Sequence, residues 1–71
     1  MKIMRVALFD KPQGLFIADR GGGTLKLHEI KIFMANPGHN HELRLWLRMF
    51  PDLVQVHCEG DWVEKYGVEN S

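Results

Sequence analysis

Short apolar segments, separated by breaks that contain glycine or proline, recur along the whole chain. Residues 2–9 (KIMRVALF) are apolar at both odd and even positions, which predicts a strand covered on both faces near the middle of a small sheet. Residues 10–14 predict a turn, because Pro12 presets φ for an early turn position and Gly14 permits a positive φ at its end. Residues 15–18 therefore predict the returning strand of a hairpin.

Three consecutive glycines, residues 21–23, form the next break. They lack the Gly-Lys-Ser/Thr ending of a phosphate-binding loop, so we interpret them as a flexible hairpin loop. A third strand is predicted over 24–35, but its apolar positions switch from odd to even between Leu27 and Ile30. Either a β-bulge near 28–29 restores the register, or two shorter strands are joined by a bend.

Residues 42–50 fit two periodicities. An extended segment would place leucines on one face, whereas a helix would form an apolar stripe at i, i+3, i+4 and i+7 from Leu43, Trp46, Leu47 and Phe50. No β-branched residue occurs between Asn36 and Leu53, Asn40 is a suitable N-cap, and Pro51 would end the helix. These features favour a helix.

The last third of the chain predicts a strand followed by a short helix. Residues 53–58 (LVQVHC) alternate and contain β-branched residues. The segment Asp61–Glu64 fits a capping box at the start of a helix over 62–66. Gly67 fits the C′ position, with Val68 as the apolar residue that folds back onto the helix.

The resulting order of elements is β-β-β-α-β-α in a single domain, residues 1–71. This order predicts an α+β fold: a small two-layer sandwich in which a three-stranded antiparallel meander is followed by a helix, a fourth strand and a short C-terminal helix. A small five-stranded β-barrel is the alternative if residues 42–50 are extended.

Composition narrows the classes of protein. The chain has 71 residues, a formal net charge of zero and 45% hydrophobic residues, so it is too short for two domains and too apolar for a disordered protein. Residues 1–35 hold six basic and three acidic side chains, and residues 36–71 hold the reverse. No apolar run reaches the length of a signal peptide or a membrane span, and one cysteine suits a reducing compartment. We therefore expect a cytoplasmic protein that binds no membrane.

Domains of this size are marginally stable alone, and with one cysteine an internal disulfide is excluded. Self-association is the commonest remaining aid, so we expect a homodimer.

A metal site is the other possible stabiliser. The available ligands are His39, His41, His57 and Cys58, which would converge if the helix runs antiparallel to the following strand. The set lacks the paired spacing of known zinc modules, so we predict no metal or other cofactor and keep a zinc-binding module as a second alternative function. Neighbouring strand residues point to opposite faces, so His57 is poorly placed to activate Cys58, and we predict no enzymatic activity.

Arginine and tryptophan are enriched at the centres of protein interfaces. Arg44 and Arg48 share a face in either conformation of their segment, and the predicted partner-binding residues are Arg44, Trp46, Arg48 and Trp62. Small chains without catalytic motifs are typical of regulators and inhibitors, including those of phages and other mobile elements. The expected function is therefore a non-enzymatic protein-interaction module that binds a larger protein.

Nucleic-acid binding is the first alternative function. It would use Arg44, Arg48 and the basic N-terminal half, with Phe9, Phe16 and Phe33 as candidates for stacking on bases. Each of these phenylalanines is flanked by aliphatic residues, which is more typical of a core position.

Overall fold

The computed structural model describes residues 4–35 and 40–70 and has the α+β architecture predicted from the sequence. Five strands form one antiparallel sheet that curls into a half-barrel, accompanied by one main helix and one short helix. In chain order the elements are β1 (Met4–Asp10), β2 (Leu15–Ile17), β3 (Gly23–Thr24), a single 3-10 turn (Leu27–Glu29), β4 (Phe33–Ala35), α1 (His41–Met49), β5 (Leu53–His57) and α2 (Trp62–Lys65).

Strand β1 lies at the centre of the sheet. Along one edge it pairs with β5, with Ala7 opposite Val56. Along the other edge its C-terminal end pairs with β2, with Phe9 opposite Phe16, and its N-terminal end pairs with β4. The tight turn between β1 and β2 is the predicted one, and it places Gly14 at a φ of 70°.

Both faces of β1 are covered, as its sequence pattern predicts. Val6 and Leu8 point to one face and pack in a cluster with Leu43 of α1. Ala7 points to the other face and packs with Phe16 and with residues of α2 and the segment after it. Helix α1 and the sheet thus form the two predicted layers, and the C-terminal residues cover the opposite face.

The segment predicted as a third strand is two short strands joined by a bend, which was the second of the two alternatives. The Thr24 hydroxyl donates to the Glu29 carboxylate (2.8 Å) and accepts the Lys26 N–H (3.0 Å). These two bonds hold a 3-10 turn at Leu27–Glu29, the place where the other alternative put a β-bulge. Because the chain changes direction there, β3 stays beside β2 whereas β4 pairs with β1. The parity switch marks this change of direction.

Helix α1 confirms the interpretation from residue types. The Asn40 side chain accepts the Leu43 N–H at 2.8 Å and also donates to the Met34 carbonyl at 2.8 Å, so it caps the helix and ties it to β4. The helix ends at Met49, just before Pro51. With residues 41–49 helical, the chain has no extended segment there to contribute to a barrel.

Helix α2 ends as predicted but begins differently. The Val68 N–H donates to the Val63 carbonyl (2.8 Å) and the Gly67 N–H to the Glu64 carbonyl (3.2 Å), which is the Schellman ending with Gly67 at a φ of 68°. The predicted capping box is wrong, because the Asp61 side chain makes no cap hydrogen bond. Asp61 has a ψ of 28°, whereas an N-cap residue is usually extended.

The residues after α2 close one edge of the sheet. The Glu69 backbone carbonyl accepts the Leu27 N–H (2.9 Å) and the Glu69 N–H donates to the Leu25 carbonyl (2.6 Å), so the chain end runs beside the continuation of β3. Within residues 4–35 and 40–70, neither helix is long and apolar enough to cross a membrane.

Candidate interaction surface

Helix α1 presents large apolar side chains to solvent near its C-terminal end. Leu45 is 43% exposed, Met49 is 69% exposed and Phe50, directly after the helix, is 47% exposed. We call these three residues the α1 patch. A nine-residue helix with one side on a sheet has room to bury Leu43, Trp46 and Leu47, so the remaining apolar residues must face outward.

A groove runs along one side of the helix, between α1 and the strands β2 and β3. It has a volume of about 340 Å³ and is lined on the helix side by Trp46 and Phe50, and on the strand side by Leu15 and Ile17. The Trp46 and Phe50 rings lie 5.5 Å apart at 34°. Trp46 is half-buried, so it supports the core and also lines the groove.

The two predicted arginines lie on the opposite side of α1. Arg44 and Arg48 are exposed and, with His41 and Leu45, line a shallow depression. They are one turn apart, so they occupy the same side of the helix in the observed conformation. We call Arg44 and Arg48 the arginine pair.

An ion pair shows which way the arginine pair faces. Glu42, on the same side of α1 as Trp46, accepts from the Lys31 ammonium at 2.9 Å. That hydrogen bond is the main reason why the pKa of Lys31 is raised. Lys31 lies beside the end of β2, since its backbone N–H donates to the Ile17 carbonyl. Glu42 and Trp46 therefore face β2, and the arginine pair faces the side of the sheet where β5 lies.

Trp62 does not share a surface with the other predicted partner-binding residues. It is half-buried on the opposite face of the sheet, where its ring meets Phe16 edge-on at 5.6 Å. The structure therefore brings Arg44, Trp46 and Arg48 onto one helix, with Trp46 on the other flank, and places Trp62 on the far side of the sheet.

The α1 patch is the feature that sequence reasoning missed. The predicted stripe assigned Phe50 to the buried side and left Leu45 and Met49 without a role. The available signal was the number of apolar residues between 43 and 50, which exceeds what one face of a helix of this length can bury.

The candidate metal ligands do not form a cluster in the described part of the chain, where no group of three or more metal-binding side chains occurs. His39 lies outside the described residues. His57 is exposed, whereas Cys58 is half-buried against the core beneath α2, and this burial raises the pKa of the Cys58 thiol. The two neighbours thus occupy opposite faces of their strand, as expected.

The three phenylalanines considered for base stacking belong to the core. Phe16 and Phe33 are buried, and Phe9 packs against Phe16 (4.9 Å between ring centroids) and Tyr66 (5.1 Å). Their burial leaves them unable to stack on bases from an open sheet face.

A polar depression lies between the triple-glycine loop and the 3-10 turn. Arg20, His28 and Glu29 are among its lining residues. The hydrogen bond from the Thr24 hydroxyl is the main cause of a lowered pKa at Glu29, with nearby positive charges acting in the same direction. These contacts hold the turn together and explain its polarity.

Comparison with protein-family models, with curated proteins and with solved structures finds no match for this chain.

Proposed function

We propose that this chain is a non-enzymatic protein-interaction module that binds a larger protein through the α1 patch and the arginine pair. One observation carries the proposal: a helix of nine residues exposes Leu45 and Met49, and Phe50 follows it. Exposed apolar side chains grouped on one element, next to charged residues, are typical of an interaction site.

The chemistry of this surface suits protein recognition. Methionine, aromatic residues and arginine are all enriched at protein interfaces relative to the rest of a protein surface. Met49 and Phe50 supply an apolar centre, and Trp46 and the groove beside it offer a recess for an inserted side chain. The arginine pair would form part of the charged rim.

Self-association belongs to the same proposal. The homodimer expected from the small size of the chain would bury the α1 patch of each copy against the other, and the larger protein would compete with the second copy for this patch. The module would then act in the cytoplasm as a regulator or inhibitor, of the kind that phages and other mobile elements encode, by occupying a surface on its target.

The test compares two serine substitutions at exposed methionines. Met49→Ser alters the α1 patch, and Met34→Ser is the matched control because Met34 is 53% exposed on β4, outside the patch. Tagged wild-type and variant proteins are used for quantitative affinity purification from cells, and their self-association is measured by sedimentation velocity. We expect Met49→Ser to weaken retention of the partner or the dimer, and Met34→Ser to leave both unchanged.

Equal retention by both variants, together with unchanged sedimentation, would refute a role for the α1 patch.

Nucleic-acid binding is the alternative function that the arginine pair supports, because both side chains are exposed on one side of a helix. A titration with labelled DNA and RNA decides that alternative. Binding that strengthens at low salt and is lost in Arg44→Ala/Arg48→Ala would favour it over the protein module.

A further inference from the structure

Strand β5 is an open edge of the sheet. It pairs with β1 along one side, and no other strand pairs with it within residues 4–35 and 40–70. The segment that continues β3 differs, since the backbone of Glu69 pairs with it at Leu25 and Leu27. An open edge offers backbone donors and acceptors to another chain.

The direction of the backbone groups in β5 follows from one hydrogen bond. The Cys58 N–H donates to the Arg5 carbonyl at 3.0 Å, which continues the ladder between β5 and β1. In an antiparallel ladder, successive residues alternate between pointing toward the partner strand and pointing away. Even-numbered residues of β5 therefore point their backbone groups at β1, and odd-numbered residues point theirs outward.

Two of the outward groups have partners inside the chain. The Leu53 N–H donates to the Phe50 carbonyl, and the His57 carbonyl accepts from Glu59. Among residues 4–35 and 40–70 no partner is found for the N–H and C=O of Gln55, the C=O of Leu53 or the N–H of His57, so these groups are left for another chain. They alternate along the edge as an added strand requires.

The side chains of β5 do not protect this edge. The strand reads LVQVH, with no lysine, proline or acidic residue, and its register with β1 is continuous from Leu53 to His57. Proteins usually protect an exposed edge with charges, proline or a bulge. Because this edge is unprotected and lies on the side of the arginine pair, we interpret β5 as an edge that binds another chain.

The two faces beside β5 differ in chemistry. On the face that carries α1, Gln55 and His57 are exposed, and the arginine pair lies on this side of the helix. On the other face Val54 is 36% exposed, and the segment that follows β5 there carries Glu59 and Asp61. A strand that binds to β5 should therefore carry acidic side chains on the face of α1 and apolar side chains on the opposite face.

We propose that β5 binds an extended segment of the partner protein as an added strand, and that acidic and apolar residues alternate in this segment. Successive side chains of a strand point to opposite faces, so the acidic ones would lie toward Arg44 and Arg48 and the apolar ones toward Val54. The proposal rests on the proposed function, because it names the chemistry of the protein partner.

A second copy of the chain fits this edge poorly. Antiparallel pairing of β5 with β5 would put both α1 helices on the same face of a continuous sheet, with their arginine pairs turned toward each other. The like charges of the four guanidinium groups would then oppose this pairing. An acidic segment at the same edge would instead be attracted by the arginine pair.

The experiment uses labelled peptides and the intact protein. The probe is a fluorescent peptide of about nine residues in which Glu and Val alternate. The comparison peptides replace every Glu with Lys, or keep the composition but group the Glu residues at one end. We expect the alternating Glu-Val peptide to bind at least about tenfold more tightly than either comparison peptide by fluorescence anisotropy.

Hydrogen exchange then distinguishes strand addition from simple charge attraction. The amides of Gln55 and His57 point outward, so they should exchange rapidly in the free protein and slowly with the peptide bound. The amides of Val54 and Val56 are bonded to β1 and should be protected in both states. Peptide binding without new protection at Gln55 and His57 would overturn the proposal.

Two variants complete the test. Gln55→Pro removes an outward N–H without removing a bond to β1, and it should abolish peptide binding while the circular dichroism spectrum stays unchanged. If that variant does not fold, Arg44→Glu/Arg48→Glu serves instead and should reverse the preference from the Glu to the Lys peptide. Lys11→Glu/Arg20→Glu, two exposed basic residues in turns, is the matched control and should change nothing.

The outcome separates this proposal from the broader one. If no peptide binds but Met49→Ser still releases the partner, strand addition is wrong and the α1 patch stands. If the Glu-Val peptide binds with the predicted protection while Met49→Ser has no effect, the binding surface is β5 and the α1 patch is wrong. Equal binding of the grouped peptide would also overturn strand addition, since it lacks the alternation.

Discussion

Phe16 offers the sharpest test of how this fold is stabilised. Its side chain is fully buried in β2, and its ring meets Phe9 at 4.9 Å, Trp62 at 5.6 Å and Tyr66 at 5.6 Å between centroids. These contacts join the central strand, the second strand and the C-terminal helix. Replacing Phe16 with alanine would remove the common partner of all three rings.

The expected loss is large relative to the total stability. A buried Phe→Ala substitution costs about 3–5 kcal/mol. A domain of this length is expected to have a free energy of unfolding of about 4–11 kcal/mol, at about 0.05–0.15 kcal/mol per residue. The Phe16→Ala variant should therefore lose between about a quarter and all of its free energy of unfolding, since neighbouring rings cannot fill the space.

Urea denaturation followed by tryptophan fluorescence measures this loss directly. Because Phe16→Ala can unfold the protein entirely, Phe16→Leu is measured beside it, with an expected loss of about 1–3 kcal/mol. Phe50→Ala is the control, as Phe50 is 47% exposed, and its loss should be about 1 kcal/mol. Equal losses for Phe16→Ala and Phe50→Ala would refute the assignment of the core.

Three further substitutions test local features. Asn40→Ala removes the helix cap and the bond to β4, and should lower the free energy of unfolding by about 1–2 kcal/mol in urea denaturation. Gly67→Ala should cost about 1–2 kcal/mol in the same assay, because alanine is strained at a φ of 68° although its Cβ would meet no atom within 4 Å. Thr24→Val removes the main cause of the lowered Glu29 pKa, so an NMR titration should show that pKa rising toward its usual range. A lowered pKa stabilises the fold above the usual glutamate pKa, and this stabilisation is lost as the pH falls through the lowered pKa.

Each of these has a result that would contradict it. Asn40→Asp keeps the cap acceptor but loses the amide donor, so it should fall between wild type and Asn40→Ala, and a loss as large as that of alanine would argue against the cap. Gly67→Asn should be milder than Gly67→Ala, since asparagine tolerates a positive φ better, and equal losses would contradict the backbone strain at this position. The stability difference between wild type and Thr24→Val should shrink on acidification, and a constant difference would show that Glu29 is not involved.

Periodicity together with the types of single residues determined most of the local structure. The two-sided apolar pattern of the first segment predicted a central strand, and the turn around Gly14, the cap at Asn40 and the ending at Gly67 were all found where predicted. These features depend on residues close in sequence, and their backbone requirements are carried by single residue types. Local chemistry is therefore sufficient for them.

Pairing and exposure were decided by the tertiary structure. The parity switch between Leu27 and Ile30 allowed a bulge or a bend, and the pairing of β3 with β2 and of β4 with β1 decided between them. The same holds for the surfaces proposed to bind a partner. Which side of α1 meets the sheet, and which edge of the sheet stays open at Gln55, depend on contacts between residues far apart in the chain, and periodicity carries no information about them.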